Sequence, residues 1–122
     1  MRATNTMEFL TMANFFYTKA NEGFSLNLEG NTPEAGYMVS VIDGPEWPNM
    51  TSVCPFEMVT FIKTYKNIGS NHYFGIWTDE QTGKVYFDLS VNVPSEKEAL
   101  EMAEAYHQKA IYDVKNCKDI RL

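Results

Sequence analysis

At 122 residues, with 44% hydrophobic and 14% aromatic side chains, the chain has the length of one domain and enough apolar area to fill a core, which excludes intrinsic disorder. Ten Lys and Arg against sixteen Asp and Glu give a net charge of −6, so direct binding of nucleic acid through phosphate neutralisation is not expected. The charge is also segregated. Between Lys19 and Lys63 there is no base, and the window 20–62 holds Glu22, Glu29, Glu34, Asp43, Glu46 and Glu57. The rest of the chain is balanced, ten acids to ten bases, so these six acids carry the whole net charge.

Residues 6–19 read as a first helix, with Asn5 as N-cap and Glu8 three residues on. Phe9, Met12, Ala13 and Phe16 recur at helical spacing, widened by Leu10 and Tyr17. Phe24, Leu26 and Leu28 then alternate with Ser25 and Asn27, the period of a short strand. A second strand is predicted over Tyr37–Ile42, and the two are expected to pair as a hairpin across the turn-rich EGNTPEAG. Pro33, Pro45, Pro48 and Pro55 make the acidic window loop-rich. A helix from Pro55 to Asn67 follows, with Met58, Phe61, Ile62, Tyr65 and Ile68 as its packing stripe.

The strongest local signal is HYFGIWTDEQTGKVYFDLSVNV. Two β-rich runs flank a turn ending in Gly83, and Val85, Phe87, Leu89, Val91 and Val93 alternate with Tyr86, Asp88, Ser90 and Asn92. Strand 84–93 is therefore expected at the centre of the sheet, odd-numbered residues buried. Isolated in its strand, Gly75 predicts a bulge or a large neighbour such as Trp77 or Tyr86 above it. Ser95 and Glu98 cap a helix reaching Lys109, with Ala99, Leu100, Ala103, Tyr106 and Ala110 on its buried face. A short strand over Ala110–Val114 and a polar tail complete a single α+β domain over 1–122, in the order α-β-β-α-β-β-α-β, with a largely antiparallel sheet.

No secretory leader pattern is visible at the start, and no run approaches the ~20 apolar residues of a membrane span. The expectation is a cytoplasmic protein without membrane partners, in which Cys54 and Cys117 are reduced and the acceptor pattern at Asn49 is accidental. Neither His72 nor His107 has a nucleophile at motif spacing, and no metal or cofactor motif occurs, so no catalytic residue, metal or cofactor is assigned.

Two surfaces suit binding. The acidic window offers Glu29, Glu34, Asp43 and Glu46 as a field for a basic partner, with Tyr37 and Trp47 as aromatic anchors. The alternative is the hairpin face around Trp77, Asp79, Tyr86 and Asp88, suited to a small ligand or a hydrolytic site. Self-association through a sheet edge is a third reading.

From Phe24 to Ile120, about four-fifths of the chain, the pattern resembles a group of short proteins encoded by phages and other mobile elements. The residues that carry the likeness are Pro33, Gly36 and Tyr37–Ser40, then the G-x-W-x-D-x-x-x-G-x-V-Y-x-D-x-S run from Gly75 to Ser90, then Ala110–Asp113. That group has no assigned activity. What the resemblance implies is the company of accessory proteins that act on host machinery, including inhibitors of CRISPR and restriction systems. The expected function is accordingly an interaction protein that binds a basic surface of a host nucleic-acid-targeting defence enzyme.

Overall fold

The computed structural model describes residues 5–19, 23–41, 55–78, 81, 83 and 85–122. Helix α1 (Thr6–Thr18) starts where Asn5 Oδ1 accepts the Glu8 backbone N–H at 2.9 Å, and Phe9, Met12, Ala13 and Phe16 form its buried stripe. Tyr17, expected to widen that stripe, is half exposed instead. Strands β1 (Phe24–Leu26) and β2 (Tyr37–Ser40) precede α2 (Pro55–Thr64), whose buried face is Met58, Val59, Phe61 and Ile62. Pro55 opens α2 as predicted, but the helix stops at Thr64. Tyr65 and Ile68 sit in the turns beyond it, still packed against the core.

Strands β3 (His72–Thr78) and β4 (Val85–Val93) form the predicted hairpin, in register from His72 opposite Val91 to Thr78 opposite Val85. Helix α3 (Glu96–Ala105) is capped by Ser95 and leads to β5 (Ala110–Asp113) and β6 (Lys118–Arg121). All pairings are antiparallel and the six-stranded order is β1-β3-β4-β2-β5-β6. The α+β domain is as predicted; four local expectations are corrected.

First, β1 and β2 do not pair with each other. β1 lies on β3, and β2 lies between β4 and β5. The connection between them crosses the end of the sheet and is tied down on the way. Asn27, only 3% exposed, accepts the Glu29 and Asn31 N–H groups on Oδ1 and donates Nδ2 to the Ser70 carbonyl. Asn92 donates to the Ala35 carbonyl at 2.7 Å. Second, α3 ends at Ala105 rather than Lys109. His107 takes a left-handed φ of 57°, and the His107 and Gln108 N–H groups return to the carbonyls of Glu104 and Ala103, the double closure of a Schellman end. Tyr106, assigned to the buried face, is exposed, and Ala110 belongs to β5.

Third, the polar tail is strand β6, whose one half-buried side chain, Ile120, packs on the core. Its short, charged character suits an unpaired edge. Fourth, Gly75 sits in unbroken register opposite Asp88, with no bulge.

Phe16 from α1, Phe61 from α2, Phe74 from β3 and Phe87 from β4 form one aromatic cluster, with Phe87 ring centroids 5.1 Å from Phe16 and 5.2 Å from Phe61. Ala99 and Ala103 of α3 bury a second group with Val39, Val91 and Ile111. Phe87 and Val91 share one face of β4, so all three helices pack on the same side of the sheet. Among the described residues no helix covers the other side.

Candidate functional site: the sheet face opposite the helices

Pleating and register decide which side chains stand on the face opposite the three helices. Ser25 of β1, Tyr73, Gly75 and Trp77 of β3, Tyr86, Asp88, Ser90 and Asn92 of β4, Met38 and Ser40 of β2, and Tyr112 of β5 share it. Trp77 and Tyr86 are a cross-strand pair stacked at 4.6 Å with 17° between ring planes, and Trp77 remains 41% exposed. On this face of β1, β3, β4 and β2, Asp88 is the one described residue charged at neutral pH.

Gly75 shapes the middle of the face. A Cβ at that position would stand 2.9 Å from Asp88 Oδ1 and 3.3 Å from Ser25 Oγ. The neighbour above the glycine is thus the Asp88 carboxylate, not Trp77 or Tyr86, and Ser25 closes in from the opposite strand. Tyr73 and Trp77, two residues either side of Gly75, flank this close approach. At one end of the face, Asn92 Nδ2 donates to the Ala35 carbonyl and reaches Met38 Sδ at 3.2 Å, fixing the crossing loop. Ser40 Oγ is buried, with no hydrogen-bond partner among the described residues.

The candidate residues of the acidic window separate. Glu29 and Glu34 are exposed on the crossing loop, at the Asn92 end of the sheet. Tyr37 stands on the opposite, helix-covered face, half-buried against Val39, Ala99 and Ile111. Burial first, then the charges of Asp113 and Glu96, push its phenol above the ordinary tyrosine value. Asp43, Glu46, Trp47, Asp79 and Cys54 lie outside the described residues. Of the hairpin set, Trp77, Tyr86 and Asp88 come together on one surface. Asn27 and Ser25 were not singled out from sequence. Their roles depend on Ser70 and Gly75, which the strand pairing brings to them.

Cys117 is an exposed free thiol in the β5–β6 turn. Among the described residues no three His, Cys, Asp or Glu side chains converge as metal ligands, and no helix is long and apolar enough to cross a membrane. A groove of about 680 Å³ lies elsewhere, between α3 and β6, lined by Glu96, Leu100, Glu101, Glu104, Arg121 and Leu122. Compared with known proteins, the chain matches no family model, no curated protein and no solved structure.

Proposed function

We propose that this chain is a cytoplasmic interaction protein that binds a basic surface of a partner protein. The observation that carries the reading is the segregation of charge: six acids and no base over 20–62, against ten of each elsewhere. Glu29 and Glu34 present part of that field in the open, at the end of a sheet face that no described helix covers. Such a field accelerates encounter with a basic surface and selects against acidic ones. The likeness of residues 24–120 to short phage and mobile-element proteins favours, as the partner, a host nucleic-acid-targeting defence enzyme such as a CRISPR effector. Occupying its nucleic-acid channel would inhibit it.

The experiment is capture of the partner from bacterial lysate, followed by association kinetics at two salt concentrations. Wild-type association is expected to slow as salt rises, because screening acts over about 10 Å at 0.1 M. The double variant Glu29→Lys, Glu34→Lys should associate more slowly still at low salt, while folding normally, since exposed loop charges shift stability by only ~0.5 kcal/mol each. Equal association by wild type and variant at both salts would remove the charged loop from the interface.

A further inference from the structure

We infer that β6 is a docking edge for a second copy of this chain, joining the two sheets through antiparallel β6–β6 pairing centred on Ile120. β6 stands at the end of the strand order and, among the described strands, pairs with β5 alone. One bond fixes which of its backbone groups face outward. Leu122 donates its N–H to the Lys109 carbonyl at 3.0 Å, and these two residues stand opposite each other when the β5–β6 register is continued by one position. In an antiparallel ladder, bonded pairs of this kind alternate with unbonded ones. Leu122, Ile120 and Lys118 therefore direct their N–H and C=O groups to β5, and Asp119 and Arg121 direct theirs to the open edge. Both residues are exposed. A neighbouring antiparallel strand must bond through those two.

Charge then selects the neighbour and its register. Two-fold pairing of β6 with its own copy must be centred on a residue, since a centre between residues would set outward groups against inward ones. Centred on Lys118, Asp119 or Arg121, the pairing places that residue opposite itself, and like charges directly opposite are destabilising. Centred on Ile120, it sets Asp119 of each copy against Arg121 of the other, and each of these pairs exchanges both of its backbone bonds. Edge charges of one sign hold strands apart, whereas opposite signs two residues apart admit one partner in one register. On the helix side the same register brings Ile120 against Ile120 and Lys118 opposite Leu122 of the second copy. Leu122 lines the groove where α3 presents Glu96, Glu101 and Glu104 against one base, Lys97, so the incoming ammonium meets an acidic wall. Asp119 and Arg121 lie outside the window 20–62, so this inference goes beyond the acidic-window reading and does not depend on it.

The test is sedimentation equilibrium of the full chain from about 10 μM to about 1 mM, with amide hydrogen exchange at both ends of that range. A concentration-dependent dimer is expected. At high concentration the Asp119 and Arg121 amides should exchange more slowly, while the Ile120 amide, already held by β5, should keep its rate. Asp119→Arg and Arg121→Asp should each raise the dimer Kd at least about tenfold, because each sets like charges opposite in both pairs. The double variant Asp119→Arg, Arg121→Asp should restore the dimer, which also shows that these substitutions leave the edge folded. An equimolar mixture of the two single variants should form the mixed dimer that neither forms with itself. A chain still monomeric at the highest concentration, a dimer indifferent to both single variants, a double variant that stays monomeric, or protection arising at residues 24–26 of the opposite edge would overturn the proposal. None of these results depends on Glu29 or Glu34, so a failure here leaves the acidic-window reading standing, and a failure of the charge-reversed loop leaves the dimer standing.

Discussion

The two faces of β4 share one backbone and one set of ladder bonds, yet their side chains meet opposite fates. Val85, Phe87, Leu89 and Val91 are buried under three helices, whereas Tyr86, Asp88, Ser90 and Asn92 stand half-exposed on a face that no described helix covers. On the covered face, fit is settled by volume: rings interlock at 5–6 Å and truncation leaves a hole. On the other, Tyr86, Asp88, Ser90 and Asn92 all carry polar atoms and are only half-buried. The comparison separates the apolar side chains that hold the fold from the polar and aromatic ones on the opposite face.

The largest effect that could break this comparison is at Phe87. Phe87→Ala should cost about 3–5 kcal/mol in urea unfolding, because Phe16, Phe61 and Phe74 cannot all collapse into the space. Tyr86→Ala, one residue away, should cost only about 0.5–1.5 kcal/mol, the worth of its stack on Trp77. Comparable losses at the two positions would mean that both faces are core.

A smaller effect sharpens it at Asn27, a polar residue that belongs to the fold and not to the surface. Its side chain satisfies two backbone N–H groups and donates to the Ser70 carbonyl, so Asn27→Ala should cost roughly 2–3 kcal/mol. Amide exchange at Glu29 and Asn31 should accelerate, since both donors lose their acceptor. An Asn27→Ala protein of unchanged stability, with those amides still protected, would show that the crossing loop is held some other way.

Asn27 also marks where the sequence stopped being legible. Local patterns read correctly: the Asn5 and Ser95 caps, the Pro55 start, and the alternation in β4, each written in residues within a few positions of one another. What failed to read depends on distant partners. The loop from β1 to β2 is fixed by bonds spanning 43 and 57 residues, and nothing inside EGNTPEAG announces them, so a plain hairpin was the simpler expectation. β6 carries one packing side chain, Ile120, which is too little to set an apolar period. The end of α3 was hidden because His107 occupies the left-handed position where glycine is the usual signal. The candidate site divides the same way. Trp77, Tyr86 and Asp88 were visible in their hairpin, but Ser25 was not, because only the pairing of β1 with β3 brings it beside Gly75.

The smallest expected effect concerns acidity, and again the two faces differ. Asp113 lies on the covered side, 5% exposed, where its carboxylate accepts the Asn116 side-chain N–H at 2.8 Å and the Asn116 backbone N–H at 3.2 Å. The side-chain bond is the main cause that holds its carboxyl below the ordinary aspartate value; burial opposes the shift, and the backbone bond and Lys118 add to it. A carboxyl whose pKa is lower folded than unfolded stabilises the protein above its unfolded value, about 3.9, and that contribution fades as pH falls through the lower folded value. Wild-type stability should therefore decline as pH falls below about 4, in part through this group. Asn116→Ala removes the side-chain bond to the carboxylate and leaves the backbone N–H in place, so the variant should be less stable than wild type at neutral pH. The gap should close in acid, where the wild-type carboxylate is protonated too. Unfolding curves of the two proteins at neutral pH and across the acid range measure it directly. A gap that persists undiminished at the lowest pH would show that Asn116 stabilises the β5–β6 turn through its backbone conformation rather than through the charge of Asp113.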